Sequence, residues 1–422
     1  MSLLLRFFKT SIIRKHFILF LAIFTLIFAL FMPDRHALWH NYLTIITQPT
    51  HLLQDFFALG GLSATFFNAA THLFLMYALF MWNDQTKLSG FQIGAMGIYL
   101  GHSFFGTHLI NILPIIGGVI LYAIWTKQSF KRFTTISLFA TSLAPMVSTL
   151  IAHNHSQFTL LWLIVVIGLI LGFITPVLSE HFLKFHQGFA LYNSGFTTGI
   201  IAMFALLILQ LFEVDISSRT IINNEVHIYT TVYFLCLLLF AFCIYLHNPQ
   251  KAHQNFPKLL KRSGRLPDDF MLNFQAETTA LNIFLNGGIY LALILLLGIR
   301  ISGPVLGGLC SVLGFSAFGK HPRNCLPISA GVLAIALLTK QDITQIQVAL
   351  PLLFGTSLAP VAGYYGVLAG IIAGALQFLL ASTVFPLHQG LTLYNNGFSS
   401  GFIAAFMVPI IDIILEHRPN NV

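Results

Sequence analysis

The sequence predicts an all-α polytopic membrane protein made of two inverted-topology repeats, with broken or re-entrant helices and about 12 to 14 membrane segments. Three observations lead there. Of 422 residues, 56% are hydrophobic and only 8% charged, with a mean hydropathy of +0.82, whereas soluble domains carry about a quarter charged residues. Apolar runs long enough to cross a ~30 Å hydrocarbon core recur along the whole chain. One polar, glycine-broken phrase is written twice, as HQGFALYNSGFTTGIIAMF from His186 and HQGLTLYNNGFSSGFIAAF from His388, with 12 of 19 positions identical.

Taken in order, residues 1–50 read as an N-terminal helix and outer loop, 51–212 as membrane repeat 1, 213–268 as a connecting helix and basic cytoplasmic loop, and 269–422 as membrane repeat 2. The run KHFILFLAIFTLIFALFMPD from Lys15 has the basic flank of a secretory signal but no small-x-small cleavage site, so it reads as an uncleaved first helix. Three apolar passes at 53–82, 90–105 and 109–125 then lead to the basic TKQSFKR from Thr126. Three more, at 135–152, 158–178 and 189–212, precede EVDISSRTIINNEVH, and a further helix at 228–246 leads to KAHQNFPKLLKRSGR from Lys251. Basic loops mark the cytoplasmic side. Both agree with a cytoplasmic N-terminus, so repeat 1 enters from outside and repeat 2 from inside. The expectation is a multi-pass protein of the cytoplasmic (cell) membrane with both termini in the cytoplasm.

The duplication reaches well beyond the quoted phrase, and a repeat must be found before a fold is assigned. GHSFFGTHLINILPIIGGV from Gly101 matches GFSAFGKHPRNCLPISAGV from Gly314, and TSLAP occurs from Thr141 and again from Thr356. SGFQIGAMGIYLG from Ser89 pairs with SGPVLGGLCSVLG from Ser302, and FFNAATHLFL from Phe66 pairs more loosely with FLNGGIYLAL from Phe284. The blocks keep their order.

Charge and motif content exclude several classes. The formal charge of +8 is concentrated in short loops beside apolar spans, which reports orientation and contact with lipid headgroups, not nucleic acid. Cys236, Cys243, Cys310 and Cys325 show no metal-ligand spacing, and no H-E-x-x-H or phosphate loop is present. No catalytic residue, metal or cofactor is therefore expected. Asp55, Glu180, Glu277 and Asp412 lie near predicted span ends and are unmatched between the repeats, which gives little support to ion coupling by a buried carboxylate.

The repeated phrases carry the candidate site. Gly188, Gly195 and Gly199 are poor helix residues, and Asn193 and Ser194 are good N-caps, so a helix is expected to break and restart near Asn193. Such a restart aims backbone N–H groups and a positive dipole end into a cavity. His186, Gln187, Tyr192, Asn193, Thr197 and Thr198 would line a solute pathway from one copy, and His388, Gln389, Tyr394, Asn395, Ser399 and Ser400 from the other. The competing reading is close helix packing alone, since Gly195/Gly199 and Gly397/Gly401 form G-x-x-x-G. His108 and His321 also match and are secondary candidates. Lys320 and Arg323 in GKHPRN are replaced by Thr107 and Ile110 in the first copy, so they read chiefly as loop anchors and secondarily as anion contacts.

FGKHPRNCLPI and HQGLTLYNNGFSSGFIAAF resemble an uncharacterised family of bacterial integral membrane proteins, domain of unknown function 1576. NIFLNGGIYLALILLLGIRISGPVLGGLCSVLG from Asn282 distantly resembles the pore segment of urea transporters, channels of two inverted halves lined by aromatic side chains. That resemblance implies that Asn68 and Asn286 fall on pore segments. The functional expectation is a membrane channel or transporter for a small polar solute, at the interface of two repeats. The alternatives are a proton-coupled carrier of a small organic anion and, from another class, a membrane-embedded enzyme or structural component. The expected partners are the lipid bilayer, a small-molecule solute and possibly further copies of the chain.

Overall fold

The computed structural model describes residues 16–48, 50, 52–85, 87–152, 158–211, 213, 216 and 220–416, with side chains of 150–152, 158–161 and 163–164 left aside. The basic residues Arg6, Lys9, Arg14 and Lys15, and part of the 213–227 loop, lie outside the described residues. Among the described residues the chain is helical, apart from two isolated β-bridges.

The first helices are α1 (Phe17–Leu30), α2 (Leu38–Thr47), α3 (Phe56–Trp82), α4 (Gly90–His102) and α5 (Leu109–Trp125). A broken unit follows, α6 (Thr134–Ala140) and α7 (Ala144–Ala152) about a 3₁₀ turn at Thr141–Leu143, then α8 (Phe158–Phe185) and α9 (Asn193–Leu211). The chain continues through α10 (His227–Tyr245), the short α11 (Pro249–Leu259), α12 (Phe270–Leu296), α13 (Gly303–Phe315) and α14 (Pro322–Leu338). A second broken unit, α15 (Ile346–Phe354) and α16 (Ala359–Tyr365) about a 3₁₀ turn at Gly355–Leu358, leads to α17 (Val367–Thr383) and α18 (Asn395–Glu416). Among the described residues 7 helices are long and apolar enough to cross a membrane, and the pair Phe17–Leu30 and Arg35–Thr47, bent by 107°, would make an eighth. This is an all-helical protein with several membrane-spanning helices.

Sequence chemistry sets the helix starts. Ser89 and Gln92 close a capping box at α4. Asp55 caps α3 through the Phe57 N–H, and Asp269 caps α12 through the Leu272 N–H. Each carboxylate also reaches a second helix: Asp55 accepts from the Gly303 N–H at 3.2 Å, at the start of α13, and Asp269 accepts from the Gly90 N–H at 2.9 Å, at the start of α4. The sequence blocks leave Asp55 without a counterpart. Asp269 is its counterpart in bonding, and the mismatch arose because both residues sit just outside the similar sequence blocks.

Helices α4 and α13 pack closely side by side through glycines, with Gly97 against Gly314 and Gly101 against Gly307. At 13 residues each is about 20 Å long, short of the hydrocarbon thickness. Each ends in a turn closed by the same device. Gly106 (φ 89°) and Gly319 (φ 95°) take the left-handed conformation that a side chain disfavours. Asn111 and Asn324 then reach back, each accepting the His108 or His321 N–H at 2.9 Å and donating to the Gly106 or Gly319 carbonyl.

Candidate functional site

The two HQG phrases come together in the interior. After α8 the chain turns through Gln187 (φ 52°) and Gly188 (φ 78°), and α9 starts at Asn193; after α17 it turns through Gln389 (φ 47°) and Gly390 (φ 80°), and α18 starts at Asn395. The restart expected near Asn193 lies there. The adjoining strands of backbone are exchanged: Leu191 N–H donates to the Ser357 carbonyl at 2.9 Å and Leu393 N–H to the Ser142 carbonyl at 3.0 Å. Ser142 and Ser357 belong to the two TSLAP copies and sit in the breaks of the two broken helices. Tyr192 and Tyr394 lie with ring centroids 6.1 Å apart, and Phe196 stacks on Phe398.

The histidines of the phrases are positioning residues. Asn193 Nδ2 donates to the Ser179 carbonyl, which fixes its amide, so His186 Nε2 donates to Asn193 Oδ1 at 2.9 Å. His388 Nε2 donates to Asn395 Oδ1, also at 2.9 Å, with Asn395 Nδ2 on the Ala381 carbonyl. Nδ1 of His388 receives the Gly390 N–H. These bonds occupy both ring nitrogens of His388 and tie the turn to the start of the helix. Gln187 is exposed and Gln389 half-buried; both serve the turn, and Gln187 gives its carbonyl to Arg265 Nε.

Several other candidates are tied into the same interior network. Thr197 Oγ1 donates to the Asn193 carbonyl and lies 3.4 Å from Ser179 Oγ. Thr198 Oγ1 is met by Ser142 Oγ at 3.1 Å and Thr392 Oγ1 at 3.3 Å. Ser399 Oγ receives Gln377 Nε2, and Ser400 Oγ donates to the Gly397 carbonyl. Thr198 and Thr392 thereby join one phrase to the other.

Around the two tyrosines the polar equipment differs. Tyr192 is hydrogen-bonded to Ser311 Oγ and accepts from Lys320 Nζ at 2.6 Å, and its ring packs on Phe315. Tyr394 packs instead on His102, the residue aligned with Phe315, with centroids 4.9 Å apart. Among the described residues Tyr394 Oη, both ring nitrogens of His102 and Thr107 Oγ1 are buried without a hydrogen-bond partner. His72 Nε2 and Tyr99 Oη share that condition, and those two rings are in contact. Buried polar atoms are nearly always paired, so each such group needs a reason.

Of the secondary candidates, Lys320 is fully buried and belongs to this cluster, whereas Arg323 is exposed. His108 Nε2 lies 3.4 Å from Ser148 Oγ, and His321 Nε2 donates to the Arg262 carbonyl at 2.9 Å, anchoring the basic loop. Asn68 Nδ2 bridges the Ser103 and Thr107 carbonyls, and its counterpart in bonding is Asn282, which bridges those of Ser316 and Lys320. Asn286, paired with Asn68 in the sequence reading, lies one turn further on and donates to Ser316 Oγ.

With this geometry in place, the family described as "Protein of unknown function (DUF1576)" matches residues 34–211 and 248–413. The chain belongs to the DUF1576 family. No curated protein and no solved structure matches it. The two matched segments of this DUF1576 chain contain both HQG phrases and all the residues of the tyrosine cluster.

Sequence reasoning missed His72, Tyr99, His102 and Ser311. Repetition marks shared positions, and these are places where the copies differ: His102 aligns with Phe315, and Ser311 with Ile98. A polar residue opposite an apolar one within otherwise similar apolar blocks would have singled out Tyr99, His102 and Ser311, though not His72. Among the described residues no group of three or more His, Cys, Asp or Glu side chains is placed to hold a metal. An apolar cleft of about 750 Å³, lined by residues such as Leu21, Met96, Phe240 and Leu313, lies apart from the cluster and shares none of its residues.

Proposed function

We propose that this chain is a channel or transporter for a small polar solute, in a bacterial cytoplasmic membrane, with its pathway at the interface of two inverted repeats. The exchanged bonds support the inverted arrangement. Asp55 to Gly303 answers Asp269 to Gly90, Leu191 to Ser357 answers Leu393 to Ser142, and Gly195 meets Gly397 directly. Two copies of one unit related by an axis in the membrane plane meet themselves in this way. Counting α4, α5, α13, α14, α17 and the broken units as crossings gives about 14 segments, the bent α1–α2 pair counting once. The basic loops then place both termini in the cytoplasm.

The observation that carries the solute reading is the tyrosine cluster. Irregular backbone is tolerated at membrane depth where it is buried in protein or lines a wet cavity, and a wet cavity would supply the partners that the buried atoms of Tyr394, His102 and Thr107 lack among the described residues. Solute flux in liposomes containing the purified chain tests it. Flux above that of protein-free liposomes is expected, and its response to an imposed pH gradient separates a channel, which equilibrates, from a proton-coupled carrier, which accumulates. Turnover of a lipid or prenyl substrate with no solute flux would place the protein among membrane enzymes instead.

A further inference from the structure

Lys320 has no accessible surface, yet an ammonium offers three donors and a full charge. Its protein partners are the Tyr192 hydroxyl at 2.6 Å and the rings of Tyr192 and Phe315, whose centroids lie 4.6 and 5.4 Å from Nζ. Among the described residues no carboxylate pairs with it; Asp268 is engaged by Arg262 in the loop above. An uncompensated buried charge is expensive and is retained in membrane proteins where function needs it.

We propose that the solute is a small anion, a carboxylate or an inorganic oxyanion, and that Lys320 supplies its counter-charge between Tyr192 and Tyr394. This rests on the pathway reading and narrows it. Among the described residues the hydroxyls of Tyr394 and Ser357 are buried without a hydrogen-bond partner, and each can donate to an anionic oxygen. A neutral solute would need these donors but no ammonium. The approach is also electropositive. The turn carrying Lys320 lies beneath the 258–265 loop, with Gly319 packed on the Gly264 carbonyl and His321 on the Arg262 carbonyl. That loop contributes Lys258, Lys261 and Arg265 besides the neutralised Arg262, and Arg265 lies 4.4 Å over the Phe189 ring at the first HQG turn. A cationic rim over a low-dielectric interior concentrates anions. The aligned position in the first copy is Thr107, so the solute meets a single cation, which suits one negative charge.

The test uses full-length protein in phosphatidylcholine liposomes, comparing influx of formate, acetate and nitrate with that of urea, glycerol and tetramethylammonium. Formate, acetate or nitrate is expected to enter at least tenfold faster than the neutral and cationic solutes. Lys320→Gln should lower that anion flux at least tenfold, Lys320→Arg should keep a larger share, and formate should raise the melting temperature of the natural protein but not of Lys320→Gln. Flux of urea or glycerol without anion flux overturns the anion assignment and leaves the pathway reading standing, as does undiminished anion flux through a folded Lys320→Gln. Should Lys320→Gln not fold, the selectivity of the natural protein decides alone. Absence of flux for every anionic, neutral and cationic solute, from monodisperse protein, removes both readings.

Discussion

Gly195 and Gly397 touch through their backbones: a Cβ built on Gly195 would stand 3.1 Å from the Gly397 Cα, and one on Gly397 would stand 3.0 Å from the Gly195 Cα. Two helix starts from distant parts of the chain are thereby held in direct contact, with the tyrosines that precede them facing each other. A methyl at either position must displace backbone or the Tyr394 or Tyr192 side chain. Gly195→Ala and Gly397→Ala are each expected to destabilise by about 1 to 3 kcal/mol, the ordinary cost of overpacking. Because they occupy the same gap, the double variant should cost less than the sum of the two, by 0.5 kcal/mol or more. Thermal unfolding of the purified variants in one detergent measures both.

Asp55 and Asp269 each hold two helix starts with one carboxylate. Asp55→Ala removes the cap of α3 and leaves the Gly303 and Asn223 N–H groups without their acceptor, and Asp269→Ala does the same to α12 and Gly90. Each change should cost about 2 kcal/mol or more, since a cap is worth about 1 and a buried orphaned donor at least as much. The two sit at opposite ends of α4 and α13, about 20 Å apart, so their effects should add to within about 0.5 kcal/mol. A large coupling term from a double-mutant cycle would contradict the two-ended arrangement.

The asparagines show where reading the sequence succeeded and where it stopped. Apolar runs marked the helices Leu109–Trp125 to the residue and Gly90–His102 to within three residues, because an apolar interior leaves little latitude in composition. The restart at Asn193 was legible from glycine and a cap residue, which have local causes. The pairing of Asn68 with Asn286 slipped by one helical turn. A four-residue shift keeps the same face toward the interior, and between two apolar helices hydrophobicity barely distinguishes the registers. The kink at Gln275 (φ 67°) had no local sequence signal, because tertiary contacts made by segments far along the chain impose it.

That register has a direct test. Asn68 and Asn282 each span two backbone carbonyls with one amide, whereas Asn286 meets a serine hydroxyl and, at 4.0 Å, a thiol. Asn68→Ala and Asn282→Ala each strip donors from two buried carbonyls, and losses of about 2 to 4 kcal/mol are expected at the cost of 1 to 2 per orphaned group. Asn286→Ala should cost about 1 to 2, since Ser316 Oγ keeps its bond to the Val312 carbonyl. Melting temperatures that fell most for Asn286→Ala would restore the register read from the sequence.

Lys320 offers a test of stability against the proposed function. If it were a loop anchor, removing its charge would weaken the fold. The contacts argue the reverse: Tyr192 keeps its bond to Ser311 when the ammonium goes, and the loop is held independently by His321 on the Arg262 carbonyl and by Asn324 on Gly319. Lys320→Met preserves the length of the stem while removing an uncompensated buried charge. Exchanging buried charge for apolar packing is neutral to stabilising by about 1 to 4 kcal/mol, so the melting temperature should hold or rise by a few degrees while anion flux falls at least tenfold. A site retained at a cost in stability produces that opposition, whereas a structural lysine would lose both together. Measuring melting temperature and flux on one preparation of Lys320→Met tells the two apart.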